Sequence, residues 1–262
     1  MNKQKLRFGL ISFMFLIFPI IMNYFSPYVI IDAISQGIIA GSFITFISMF
    51  IGSLFFGRFW CGWLCPAGGL QEICAKRKNK KVSEKYRNIK YVIWVPWLSI
   101  IVLLGVMAGG INAVDPFFHT DYGISVTNIP MLIIYLGIVL GIIILALTVG
   151  KRGFCHTVCW MAPFMILGVK IRNHFKSWPS YHLECQPEKC KRCRKCDRVC
   201  PMSIEVSKMV QEGCMDNVEC IQCGTCVHNC PQNAITTSWK WRKTKSKAVK
   251  LNKEIPILVS LK

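Results

Sequence analysis

The stretch CKRCRKCDRVCP, residues 190–201, is matched in pattern by CIQCGTCVHNCP, residues 220–231. Both read C-x2-C-x2-C-x3-C-P. A cubane iron–sulfur cluster needs one thiolate on each of four irons. A tight loop with a cysteine at every third position wraps three corners, and the fourth cysteine serves the neighbouring cluster. The spacing therefore assigns Cys190, Cys193, Cys196 and Cys230 to one 4Fe-4S cluster. It assigns Cys220, Cys223, Cys226 and Cys200 to a second. Pro201 and Pro231 have a fixed φ and no N–H, and turn the chain out of each loop. Paired zinc sites are the weaker reading, because zinc has no use for this third cysteine, fourth cysteine and proline in duplicate. Two such clusters carry single electrons.

Outward from this region, the rest of the chain reads as a membrane protein. Hydrophobic residues make up 53% of the sequence. Residues 8–57 contain one charged residue, Asp32, and residues 91–150 contain two, Asp115 and Asp121. Each stretch is long enough for two passes of about 20 residues. The expected spans are 8–26, 36–57, 91–110 and 130–150. Pro19 and Pro96 fall inside spans, which membrane helices tolerate.

All 32 Lys and Arg lie in residues 3–7, in 58–90, or from 151 onward. The positive-inside rule then puts both termini in the cytoplasm, in a multi-pass arrangement of the cell membrane. The N-terminal run has no A-x-A-type cleavage site and reads as an uncleaved anchor. A cytoplasmic cysteine domain stays reduced, which suits cluster ligation and argues against disulfides. The expected fold class is a membrane all-α domain of four transmembrane helices in two hairpins, followed by a small α+β bacterial-type dicluster (2x4Fe-4S) ferredoxin domain. The boundaries are 1–175 for the membrane domain, 185–236 for the ferredoxin domain and 237–262 for a basic tail. The formal charge of +19 falls to about +15 with two clusters of about −2 each. The tail holds seven Lys or Arg between 240 and 253. With Trp239 and Trp241 it reads as a contact with membrane lipid; nothing supports nucleic acid as a partner.

A second cysteine pattern ends each hairpin. Gly57-Arg58-Phe59-Trp60-Cys61-Gly62-Trp63-Leu64-Cys65-Pro66 follows the second span. Lys151-Arg152-Gly153-Phe154-Cys155-His156-Thr157-Val158-Cys159-Trp160 follows the fourth, 94 residues later. The hairpins form an internal repeat, and parallel repeats pack about an axis along the membrane normal. That would bring the two C-x3-C pairs together beneath the cluster domain. On a helix, residues at i and i+4 share a face. Cys61, Cys65, Cys155 and Cys159 are then candidates for a further metal or cluster, or for a dithiol–disulfide couple; small buried residues are the plainer reading. His156 is a ligand or a bystander. Cys74, Cys185 and Cys214 read as structural.

The phrase Cys61-Gly-Trp-Leu-Cys65-Pro66-Ala-Gly-Gly-Leu-Gln71-Glu72, the second C-x3-C and the two C-x2-C-x2-C-x3-C-P runs together resemble NapH-type membrane iron–sulfur proteins. NosR-like and CcoG-like proteins are relatives of that type. The resemblance covers nearly the whole chain. It implies a quinol dehydrogenase or related conduit, passing electrons between the quinone pool and a partner redox protein. The second site departs from the family's C-x3-C-P: Trp160 stands at the proline position, and the next proline is Pro163. No large extracytoplasmic flavin domain is expected.

A quinone site must take up protons with the electrons. His119, Asp115 and Asp121 in the outer loop are the candidates, against the plainer reading of a polar loop outside a membrane. Lys189, Lys191, Arg192, Arg194, Lys195 and Arg198 surround the first run. They are expected to raise the potential of the cluster on Cys190, Cys193 and Cys196. The same surface suits an acidic partner such as a ferredoxin, a flavodoxin or a reductase subunit. Two other functions remain: a cytoplasm-fed reductase whose C-x3-C cysteines reduce or load a metal, and an assembly factor with structural clusters.

Overall fold

A computed structural model describes residues 3–175, 179–213 and 215–240. The membrane half runs α1 (Lys3–Leu16), α2 (Phe18–Ile21), α3 (Pro27–Ser35), β1 (Ile38–Ala40), α4 (Gly41–Phe56), α5 (Phe59–Trp63), α6 (Pro66–Arg77), α7 (Ile89–Met107), β2 (Ala113–Asp115), α8 (Ile129–Thr148), α9 (Gly153–Thr157) and α10 (Met161–Phe175). The cysteine-rich half follows as β3 (Ser180–Cys185), α11 (Lys195–Val199), α12 (Val206–Gln211), α13 (Thr225–His228) and β4 (Ile235–Lys240). Residues 241–262, with Trp241 and most of the basic tail, and Cys214 lie outside the described residues.

Two helices are long and apolar enough to cross a membrane: the segment Glu84–Met107, which includes α7, and α8. Their outward faces leave Val92, Val102, Val106, Ile133 and Leu140 exposed, as a lipid-facing surface requires. The other two expected spans come out differently. The 8–26 run is broken where α1 meets Phe18–Phe25 at 60°. Pro19 sits in the first turn of α2 and has no N–H with which to continue the α1 ladder. The 36–57 run gives β1 and then α4, a 16-residue helix. At 1.5 Å per residue it is about 24 Å long, short of a hydrocarbon core of about 30 Å. Among the described residues there are thus two candidate spans, or three if the bent pair is one.

The halves of the repeat exchange partners. α10 packs on α4, and α6 packs on α8, so the helix after each C-x3-C lies against the long helix of the other half. Close approach is built into the sequence: a Cβ on Gly168 of α10 would stand 1.9 Å from Ser53 Oγ of α4. At the far end, β1 pairs in parallel with β2, Ile38 opposite Ala113 and Ala40 opposite Asp115. In the cysteine-rich half β3 and β4 are antiparallel, with Ser180 opposite Lys240 and Cys185 opposite Ile235. That two-stranded sheet backs onto α4 and α13.

Candidate metal centre and cavity

The two long cysteine runs adopt the same backbone. The residues on either side of the middle cysteine are left-handed in both: Arg192 (φ 53°) and Arg194 (φ 54°), then Gln222 (φ 54°) and Gly224 (φ 69°). Three residues past the fourth cysteine the match recurs, at Ser203 (φ 54°) and Asn233 (φ 47°). Five of these six are not glycine, and each pays roughly 1–2 kcal/mol for that conformation. Alternating right- and left-handed residues turn successive N–H groups to one side, which makes an anion-binding nest. Cys200 feels the charge of Cys223, and Cys220 and Cys226 each feel both. Those four thiols therefore share one neighbourhood, while Cys196 neighbours Cys190. Burial pushes Cys220 up to about 12 and Cys200 up to about 11. Such thiols ionise on binding a metal, which releases their protons. Cys193 is exposed, in a surface depression whose lining holds four cations, Lys81, Arg194, Arg198 and Lys208, against two carboxylates, Asp197 and Glu205.

The C-x3-C motifs are superimposable in their hydrogen bonding. In each, a five-residue helix carries the first cysteine at its centre. The second cysteine lies beyond that helix, so the pair does not share one helix face as the i, i+4 spacing had suggested. Cys65 N–H donates to Trp60 O at 3.0 Å, and Cys159 N–H to Phe154 O at 3.0 Å. The turn is therefore the same with Pro66 or with Trp160 after it; the Trp160 indole instead donates to Phe25 O at 2.8 Å. All four cysteines are buried. They lie close enough that Cys65 feels Cys61, Cys155 and Cys159. Burial raises Cys61 and Cys65 and pushes Cys159 up to about 12. Gln71 Nε2 donates to Cys155 Sγ at 3.3 Å and its Oε1 accepts from Phe154 N–H at 3.0 Å. Met165 Sδ lies 3.5 Å from Cys61 Sγ.

Two ion networks flank these cysteines. Arg58 pairs with Glu219 at 2.6 Å, and Lys90 pairs with the same carboxylate. Arg152 pairs with Glu72 at 2.5 Å, and Arg7 pairs with it at 2.7 Å. Burial alone would raise both carboxyls; their cations outweigh it, holding Glu72 low and Glu219 at about 2. Arg152 Nη1 also donates to Cys61 O at 2.5 Å. Arg58 Nε and Nη2, Arg152 Nε and both His156 ring nitrogens are buried with no partner among the described residues. His156 is fully buried, and burial drops its pKa to about 3, so the ring is neutral. Sequence reasoning quoted both arginines but gave them no role. Their carboxylates are remote in the chain, and no local pattern announces them.

The cysteine-rich half is docked directly on the first motif. A Cβ on Gly62 would lie 2.3 Å from Ile221 O, so only glycine permits this approach. Trp63 Nε1 donates to Gln222 O at 3.1 Å and Gln4 Nε2 to Cys223 O at 3.0 Å. On the second motif, Lys151 Nζ donates to Arg198 O at 2.7 Å.

Against the first motif lies a cavity of about 360 Å³. Its lining includes Cys65, Pro66 and Trp160, the polar residues Asn23, Ser26 and His119, and Met131, Ile134 and Ile138 of α8. It is apolar with a few polar groups, as small-molecule sites are. His119 Nε2 lies 2.5 Å from Asp32 Oδ2, a pairing not anticipated from the sequence. The other two loop candidates are occupied locally. Asp115 Oδ1 accepts from Phe117 N–H at 3.0 Å, and Asp121 accepts from Thr127 Oγ1.

A 4Fe-4S binding domain model matches residues 39–83 and again 131–177, one match per half of the repeat. A 4Fe-4S dicluster domain model matches residues 189–235. Two uncharacterized proteins of Methanocaldococcus jannaschii are similar. One is 25% identical over 73% of this chain and 76% of its own length, the other 28% identical over 86% and 80%. The putative electron transport protein YccM of Escherichia coli is 26% identical over 73% of this chain and 54% of its own length. No solved structure matches. The chain carries 4Fe-4S-binding domains of ferredoxin type together with helices able to cross a membrane.

Proposed function

We propose that this chain is a membrane-anchored electron carrier of the NapH type. It passes electrons between the quinone pool and a redox partner through two 4Fe-4S clusters. The ligand sets are Cys190, Cys193, Cys196 and Cys230, and Cys220, Cys223, Cys226 and Cys200. The similarity to a protein named for electron transport supports this reading, as does the dicluster match. All four apolar runs cross or enter the membrane, and both termini face the cytoplasm, the side that holds the basic residues.

The observation that carries the proposal is the cavity. Its lining includes both His119 and the first C-x3-C motif at Cys65 and Pro66, and that motif touches the Cys220–Cys223 loop. A quinone ring sits in the cavity with its apolar flank on Ile134 and Ile138. His119 takes a proton from the quinol hydroxyl at Nδ1, the ring nitrogen free of Asp32. Asp32 stabilises the resulting imidazolium and holds the ring in position. When bound, the clusters supply the one-electron steps that a two-electron quinol requires. Cys200, Cys223 and Cys226 are buried and would hold their cluster away from water, while Cys193 at the surface faces the partner.

Equilibrium binding of a short-chain menaquinone to the detergent-purified protein tests the reading. One quinone per chain is expected, with at least tenfold weaker binding in Ile138→Trp, which fills the cavity. Unchanged binding in that variant would contradict it.

A further inference from the structure

We propose that the inner cluster, on Cys220, Cys223, Cys226 and Cys200, has a higher reduction potential than the outer one, on Cys190, Cys193, Cys196 and Cys230, with buried Arg58 as the residue that tunes it. An electron delivered at exposed Cys193 then settles beside the membrane half. This order is the reverse of what the count of cations in the sequence suggests, and burial is the reason. The inference rests on the two-cluster reading and gives it a direction.

The six cations of the first run, Lys189, Lys191, Arg192, Arg194, Lys195 and Arg198, are all exposed. Salt screens such charges over about 10 Å. The charge buried against the outer cluster has the opposite sign. Asp197 is buried, and its Oδ1 stands 3.9 Å from Cys196 Sγ. Ser207 holds it there, donating from its N–H to Oδ1 at 2.7 Å and from its hydroxyl to Oδ2 at 2.6 Å. A carboxylate beside a ligand sulfur disfavours the extra electron.

The inner cluster has the contrary arrangement. Arg58, Lys90 and Lys151 are buried cations, with Glu219 buried among them. Arg58 Nη1 lies 2.6 Å from Glu219 Oε2, and Lys90 pairs with the same carboxylate; Glu219 is the residue bonded to Cys220. Lys151 Nζ donates at 2.7 Å to the carbonyl of Arg198, two residues before Cys200. Three cations against one carboxylate leave an excess of two positive charges. Arg58 Nε and Nη2 have no partner among the described residues, so Glu219 answers this guanidinium through Nη1 alone. A buried charge acts through an effective dielectric of about 20 and an exposed one through about 80, so each buried charge counts for about four exposed ones at equal distance. Hydrogen bonds to sulfur do not separate the two sites. Thr225 Oγ1 donates to Cys223 Sγ at 3.4 Å, and Ala234 N–H to Cys230 Sγ at 3.3 Å. Water at Cys193 favours the more negative reduced core and opposes this order. The other three cysteines of that cluster are half-buried, and the difference of three buried charges between the sites outweighs it.

In the step itself one electron leaves the reduced outer core and enters the oxidised inner core, with no bond made or broken. The donor is an acidic iron–sulfur or flavin protein of low potential docked at Cys193. A quinone in the cavity is the acceptor, and the proton at His119 then passes from the imidazolium to the quinone oxygen.

The test is a potentiometric titration of the full-length protein in detergent, purified without oxygen and followed by electron paramagnetic resonance. An iron content of about eight per chain or more establishes the two clusters; less would sink the two-cluster reading itself, whatever the potentials. Cys193→Ser alters the signal of the outer cluster and so assigns it. In the wild type that signal is expected at the lower potential. Arg58→Met should lower the inner potential by about tenfold in the reduction equilibrium, about 59 mV for one electron, and leave the outer one in place. Arg58→Lys should restore it. Asp197→Asn should raise the outer potential by a similar amount, whereas Lys191→Gln/Arg192→Gln should move it by less than about half as much. Should Arg58→Met fail to fold, the wild-type order and Asp197→Asn decide. A higher potential at the outer cluster, or an inner potential that ignores Arg58→Met, would overturn the inference.

Discussion

Arg58 and Arg152 occupy the same place in two copies of one motif, three residues before its first cysteine. Both are fully buried, and each is held by a carboxylate from elsewhere in the chain: Glu219 for Arg58, Glu72 for Arg152. Arg152→Met leaves Glu72 paired with Arg7 but removes the buried hydrogen bonds from Arg152 to Glu72 and to Cys61 O, so a loss of about 1.5–3 kcal/mol is expected. Thermal unfolding in detergent should show it as a clear fall in midpoint; an unchanged midpoint would mean that the pair contributes little.

Glu72 also sets a pH dependence. Its folded pKa lies below the ordinary carboxylate value of about 4.3. The pairing therefore stabilises the fold fully above about pH 4.3, and this contribution is lost as pH falls through the lower folded value. Acid unfolding of the wild type should steepen below about pH 4.3, and Glu72→Gln should remove that component while lowering stability at pH 7.

Gly62 is the contact between the first C-x3-C and the cysteine-rich half. Gly62→Ala sets a methyl group 2.3 Å from Ile221 O and must push the two apart, at about 1–3 kcal/mol. Electron transfer across that junction should slow, as flash reduction would measure. Gly9→Ala, in the interior of α1, meets no atom within 4 Å and should leave the rate unchanged while raising stability by about 0.5–1 kcal/mol.

The exposed Cys193 sits among Lys81, Arg194, Arg198 and Lys208. An acidic ferredoxin or flavodoxin should be drawn there. Arg194→Glu is expected to lower the second-order rate of electron exchange with such a partner about tenfold at low salt. The difference should shrink as salt screens the charges. A rate that ignores both the substitution and salt would place the docking surface elsewhere.

Much of this was legible in the sequence because the cysteine spacing is itself the chemistry. C-x2-C-x2-C needs a residue of left-handed backbone on each side of the middle cysteine, and Arg192, Arg194, Gln222 and Gly224 supply it. The 94-residue repeat was also readable, and one family model matches each half of it. What could not be read was long-range. Glu219 lies 161 residues from Arg58, and His119 lies 87 residues from Asp32. Hydropathy alone could not foresee that the first apolar run bends at Ile17–Pro19, or that α4 starts only at Gly41 after β1 pairs with β2. Nor did the i, i+4 spacing reveal that each motif's second cysteine falls past its helix. A proline at the next position disfavours helix at Cys65, but the same turn forms at Cys159 before Trp160.

The central claim is that quinone exchanges electrons with the clusters through the cavity between His119 and Cys65. Its most direct test is the reoxidation rate of the dithionite-reduced protein, freed of excess reductant and mixed with a short-chain menaquinone in a stopped-flow instrument. The cluster absorbance should recover rapidly in the wild type. Recovery should be about 100-fold slower in His119→Gln and slower still in Ile138→Trp, with reduction by dithionite unchanged in both. Equal rates in all three proteins would contradict the account.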